Sequence, residues 1–186
     1  LKACQRPDTT PFQIEGLIKA GANLETKTDD GFTPLMMVSQ YNTDPEVLSV
    51  LIKSGAEVEG KTDQAGTALM SAATHNTNPE FVSLIINAGA KVDARDDYKW
   101  TALTRAARYN ANPEVVSVLL KADAEVNTKN KDGWTPLVYA AKYNANPEVV
   151  SVLSEADIAR TADGDIAGSL QRVTGLSVVG GRFVFV

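Results

Sequence analysis

The chain has 186 residues, of which 44% are hydrophobic, 22% charged and 6% aromatic, the composition of a soluble globular chain with one substantial core. A formal net charge of −5 with a sequence pI near 4.9 argues against nucleic acid as the main partner, since phosphate binding wants a basic face. No apolar run approaches the roughly 18–20 residues of a membrane helix, so no membrane segment is expected.

The N-terminus, LKACQRPD, lacks the basic-then-apolar pattern of a secretory leader, and the missing initiator Met points to a processed or trimmed start. The single cysteine, Cys4, forms no internal disulfide and points to a reducing, cytoplasmic compartment.

A repeat dominates the next 150 or so residues. Thr33, Thr67, Thr101 and Thr135 recur every 34 residues, as do Pro11, Pro45, Pro79, Pro113 and Pro147, and Gly21, Gly55 and Gly89. Leu1, Leu35, Leu69, Leu103 and Leu137 keep the same register, which holds to about Asp157. Each unit predicts two helices and a polar finger. The first helix opens at T-P-L or T-A-L, where Thr caps and Pro is tolerated in the first turn. It ends at Asn42, Asn76, Asn110 or Asn144, a residue type that adopts the left-handed conformation. The second opens at Asp44, Asn78, Asn112 or Asn146, followed by Pro and by a Glu at the positive end of the dipole. Its apolar stripe is Val47, Leu48, Leu51 and Ile52, repeated as Phe81, Val82, Ile85 and Ile86 and as Val115, Val116, Leu119 and Leu120. That spacing makes one buried face, with the column of Leu51, Ile85 and Leu119 central to it. Each finger carries one apolar anchor: Leu24, Val58, Val92 or Val126.

The stretches GFTPL, GWTPL, GANLETKTDDG and PEVVSVLLKADAEVN resemble ankyrin repeats. The fold class expected is mainly α, an ankyrin-repeat solenoid of helix-turn-helix units with β-turn fingers, plus a short C-terminal helix and β-hairpin. The units run 1–32 (partial), 33–66, 67–100, 101–134 and 135–157 (partial), with a separate tail at 158–186. Two departures stand out. The His usual after T-P-L is replaced by Met36, Met70, Thr104 and Val138, and each unit is one residue longer than the common length of about 33. The tetratricopeptide repeat shares the 34-residue period but has two longer helices and no finger of this kind.

Three columns are not dictated by packing: Phe32, Gly66, Trp100 and Trp134 at the fingertips, Tyr41, His75, Tyr109 and Tyr143 late in the first helix, and beside it Gln40, Thr74, Arg108 and Lys142. The resemblance implies that these columns line a concave groove that receives another protein. Trp, Tyr and Arg are enriched at binding hot spots because they offer large, stiff area with a polar handle. The candidate partner-binding residues are therefore Phe32, Gln40, Tyr41, His75, Trp100, Arg108, Tyr109, Trp134, Lys142 and Tyr143. The Tyr column has a second reading, in which it packs each helix on the next.

No cofactor, metal site or catalytic pattern is expected. Cys4 shares its column with Val38, Ala72, Ala106 and Ala140 and reads as a buried, inert thiol. His75 is the sole histidine and lies two repeats from Cys4, too far for a Cys–His pair. Asp163-Gly164-Asp165 lacks the further ligands of a calcium loop, and Asp96-Asp97 reads as a solvated turn.

Past Leu153 the pattern breaks, with Ser154 where an aliphatic belongs and Arg160 in the column of Val58, Val92 and Val126. Asp165 caps an expected helix carrying Ile166, Leu170 and Val173, Gly175 ends it, and two apolar runs around Gly180-Gly181 predict a hairpin. SEADIARTADGDIAGSLQRVTGLSVVGGRFVFV resembles the start of the plug domain of TonB-dependent outer-membrane receptors. That resemblance points instead to the bacterial envelope and gives the alternative reading: a receptor fragment, or a junction of unrelated genes by recombination or engineering. The tail is expected to cap the last repeat through Ile158, Ile166, Leu170 and Val173, or to leave an open apolar edge.

Overall fold

The computed structural model describes residues 2–160 and the backbone of 176–179 and 182–185. Among the described residues a 3-10 turn at Ala3–Gln5 leads into α1 (Pro11–Lys19). Four helix pairs follow: α2 (Pro34–Tyr41) with α3 (Pro45–Lys53), α4 (Ala68–His75) with α5 (Pro79–Asn87), α6 (Ala102–Tyr109) with α7 (Pro113–Lys121), and α8 (Pro136–Tyr143) with α9 (Pro147–Arg160). Strands β1 (Leu176–Val179) and β2 (Arg182–Phe185) pair antiparallel, with Leu176 opposite Phe185 and Val179 opposite Arg182. The helix expected from Asp165, and the docking of Ile166, Leu170 and Val173 on the last repeat, lie outside the described residues.

The expected caps form. The hydroxyls of Thr33, Thr67, Thr101 and Thr135 accept the N–H groups of Met36, Met70, Thr104 and Val138. Asp44, Asn78, Asn112 and Asn146 accept those of Glu46, Glu80, Glu114 and Glu148. Each capped end satisfies an N–H that the helix itself leaves orphaned. Gly55 and Gly89 stop the second helices at φ +90 and +96.

The helices stack in two rows, α2, α4, α6 and α8 forming the inner row and α1, α3, α5, α7 and α9 the outer. Cys4, Val38, Ala72, Ala106 and Ala140 are buried along the inner row, where small side chains let backbones approach. Leu51, Ile85 and Leu119 are buried along the outer one. A single core runs from Cys4 to Leu153, as expected of units too small to bury their own apolar faces.

The turn between the helices of each pair departs from expectation. Asn42, Asn76, Asn110 and Asn144 do not adopt the left-handed conformation; their φ values are −84, −93, −95 and −79. Their side chains do the work instead. The amide nitrogen of Asn76 donates to the carbonyls of Ser39 and Asn42, that of Asn110 to Ala73 and Asn76, and that of Asn144 to Ala107 and Asn110. Each amide oxygen accepts the N–H two residues on, at Asp44, Asn78, Asn112 and Asn146. An amide has two donors and an acceptor, and here all three are used in a buried turn. The Asn of each turn thus builds a hydrogen-bonded ladder from repeat to repeat.

A second ladder runs along the finger bases, where carboxylates of Glu25, Glu59 and Asp93 accept the N–H groups of Glu57, Lys91 and Glu125 in the next unit. At the C-terminal end Asn127 stands in that column and donates to Asp157 at 2.6 Å. Helix α9 continues three residues past the expected end of the array at 157 and closes it with polar contacts. Ser154 is buried with its hydroxyl on the Val150 carbonyl, and Arg160 donates to the carbonyls of Ala124 and Leu120 at the end of α7. A cation there also complements the helix dipole.

Candidate functional site

The fingers are built alike. Each folds back so that the N–H of Thr28, Thr62, Asp96 or Asn130 donates to the carbonyl of Phe32, Gly66, Trp100 or Trp134. The side chain of the same residue accepts the N–H of its fingertip partner, at 2.8–3.0 Å. The turn needs positive φ at Gly31, Ala65, Lys99 and Gly133. At Gly31 a Cβ would also lie 2.7 Å from the Asp63 backbone nitrogen, so a side chain there would push the next finger away. Adjacent fingers are joined by backbone bonds from Asp63 to Asp30, Asp97 to Gln64 and Lys131 to Tyr98. The fingertips are therefore held in a fixed row.

Behind the last two fingertips, the residue at the finger base bonds one nine positions later on the inner helix. The bonded pairs are Asp96 with Arg105 and Asn130 with Tyr139; Thr28 and Met37, and Thr62 and Ser71, stand in the same columns. Asp96, expected as a solvated turn, is overturned: its side chain is 1% exposed. Its Oδ1 accepts from the N–H groups of Tyr98 and Trp100, and its Oδ2 accepts from Arg105 Nη2 at 2.6 Å. A carboxylate this buried persists because it is paired and fully hydrogen-bonded. Asp97 beside it is exposed. In the next unit Asn130 donates to the Tyr139 hydroxyl at 2.8 Å. Burial, then the nearby Asp132 charge, pushes the Tyr139 phenol above its ordinary value.

Six of the sequence candidates meet in one cluster. Tyr139 lies between the two fingertip indoles, 4.5 Å from the Trp100 ring and 5.1 Å from Trp134. Tyr109 stacks on Trp100 and Tyr143 on Trp134, at 6.0 and 6.1 Å. The Arg108 guanidinium lies 4.4–5.4 Å from the rings of Tyr143, Tyr109, Trp100 and Tyr139, and the Lys142 ammonium 4.5 Å from Trp134. Such cation–ring contacts hold charges over faces that would otherwise be bare. Tyr109 and Tyr143 remain 52% and 47% exposed. Phe32, Gln40 and His75 lie apart from this cluster, lining a cavity of about 300 Å³ between the first two fingers and α4. Tyr41 stands near the N-terminal end, 43% exposed.

Sequence reasoning missed Tyr139 and Arg105. Their column, Met37, Ser71, Arg105 and Tyr139, varies as freely as those selected, and it changes together with the finger-base column. That joint change was the available signal. Tyr98, an exposed ring with Lys131 at 5.8 Å, was also missed.

The inner helices carry no Asp or Glu, while Arg105, Arg108 and Lys142 all belong to them. In a chain of net charge −5 this is a local reversal. Partial burial, and after it the Arg105 charge, holds His75 below the ordinary histidine range. Burial pushes the Cys4 thiol up, which keeps it protonated and unreactive. Among the described residues no three His, Cys, Asp or Glu side chains are grouped as a metal site needs, and no helix is long and apolar enough to cross a membrane.

A family model for ankyrin repeats in three copies matches residues 2–96 and again residues 69–162. The chain belongs to the ankyrin repeat family. Ankyrin repeat domains are typically protein–protein interaction modules and generally not catalytic. No curated protein matches the chain. The family match ends at residue 162, before most of the segment that resembles a receptor plug.

Proposed function

We propose that this ankyrin array is a non-catalytic scaffold that binds another protein across its fingertips and inner helices. The binding unit is the array through the end of α9 at Arg160, three residues past the expected boundary of 157, and the remainder is a separate tail. The observation that carries the reading is the cluster of Trp100, Trp134, Tyr109, Tyr139 and Tyr143 around Arg108. These are the residue types that dominate binding energy, built on the buried Tyr139, with Tyr109 and Tyr143 exposed and Trp100 and Trp134 partly so. Packing alone would leave no reason for Tyr109 and Tyr143 to remain exposed beside this buried ring. The acid-free inner helices favour a partner segment bearing carboxylates, which Arg108 and Lys142 would meet. Nucleic acid remains disfavoured by the overall acidity of the chain.

The test starts from peptides selected against the chain from a displayed random library, followed by hydrogen exchange with and without the tightest binder. Protection on binding is expected in residues 98–109 and 134–143. Protection confined to α5, α7 and α9 would move the site to the opposite face and overturn the reading.

A further inference from the structure

The periodicity of the array turns one unit into a template for another. Two repeats after the cavity, the corresponding space is bounded by Trp100 in place of Phe32 and by Arg108 in place of Gln40. There the ring of Tyr139 forms one wall, tilted 4.5 Å from Trp100 with its hydroxyl on Asn130, and a cavity of about 280 Å³ remains beside it. In the earlier unit the position of Tyr139 is held by Ser71, and that of Trp134 by Gly66. Both rings are absent there, and Ser71 and Gly66 line the cavity of about 300 Å³ in their place. Phe32 still offers a ring wall, and Thr62 stands where Asn130 holds the hydroxyl. The volume is at the lower end of ligand pockets, suited to one side chain rather than to a cofactor.

We infer that this cavity receives a tyrosine side chain from the bound partner, seated against Phe32 as Tyr139 is seated against Trp100, with its hydroxyl at Thr62. The inference rests on the groove reading above and adds the identity of an anchor. A phenol suits the site better than a purely apolar side chain. The walls combine one aromatic face with the polar groups of Gln40, Thr62 and His75 and the charged Asp30, Asp63 and Arg105, and a buried tyrosine hydroxyl needs such polar partners. An aromatic anchor filling a preformed pocket is also the commonest form of a binding hot spot.

The pocket can be tested in the free chain with N-acetyl-L-tyrosinamide as probe, read by amide chemical shifts. Saturable shifts at Gly66, Ser71 and His75 are expected, with a Kd on the order of 1 mM for a fragment of this size. N-acetyl-L-leucinamide should bind at least about tenfold more weakly. Ser71→Tyr should abolish the shifts by filling the space from within, and Thr62→Asn with Ser71→Tyr, which rebuilds the pairing of Asn130 with Tyr139, should do so in a chain of at least native stability. Absence of shifts at Gly66 and Ser71, equal binding of the leucine probe, or binding that survives both filled variants would overturn the inference. Because this readout needs no partner, its failure leaves the aromatic groove untouched, and failure of the groove is read separately from variants of Trp100 and Trp134.

Discussion

Asn110 hangs from Asn76: its side-chain amide donates to the Asn76 carbonyl at 2.9 Å, 34 residues back along the chain. The same amide reaches the Ala73 carbonyl at 3.1 Å, and its oxygen takes the Asn112 N–H at 3.0 Å. Neighbouring units are therefore coupled by directional bonds as well as by apolar burial. Asn110→Asp should be the most damaging small change in the array, because it turns a buried donor into a charge facing two carbonyl oxygens. A loss of at least about 2 kcal/mol in urea denaturation is expected, and it should shrink as the pH falls and the new carboxylate protonates. A loss below about 0.5 kcal/mol, far under the usual cost of unsatisfied buried groups, would mean the ladder couples nothing.

Apolar stacking should carry its own weight. Leu119 is fully buried where α7 meets its neighbours in the outer row, so Leu119→Ala is expected to cost about 2–5 kcal/mol in chemical denaturation. Leu17 holds the same register in α1 yet is 45% exposed. Leu17→Ala should therefore cost far less than Leu119→Ala, and equal losses would contradict the account of where the interfaces lie.

The depressed titration of His75 fixes the sign of one pH effect. Its folded value lies below the unfolded value, so between the two the unfolded chain binds more protons and stability rises with pH. The contribution of His75 is thus fully present above about pH 6.5 and is lost as the pH falls through its folded value. His75→Gln should flatten this part of the stability profile in thermal melts between pH 7 and 5. An unchanged slope would remove His75 as its source.

Much of this molecule is legible in its letters because the period repeats each local signal. Thr33 and its mates as caps, Gly55 and Gly89 as stops, and the stripe of Leu51, Ile85 and Leu119 follow from local chemistry that needs no knowledge of the fold. The Asn column did not yield to the same reasoning. Asparagine suits a left-handed stop as well as a side-chain ladder, and only the approach of the preceding repeat decides between them. The pairing of Asp96 with Arg105 was hidden for a related reason. The finger must fold back before two residues nine apart can meet, so a pair of aspartates in a polar stretch looks solvated until that turn is known. For the candidate site, the columns of Trp100, Arg108 and Tyr109 were readable as variable and exposed. That Tyr139 would join them was visible only in the joint change of its column with the finger-base column, a link that has meaning once the finger is known to fold back on the helix.

The most direct test of the central claim, that the aromatic face is where a partner binds, is calorimetry of the tightest selected peptide against the native chain and against Trp100→Ala with Trp134→Ala. The account predicts a loss of affinity of at least about 2 kcal/mol, roughly thirtyfold, with an unchanged helical signal in circular dichroism. Native affinity in the double variant would contradict it.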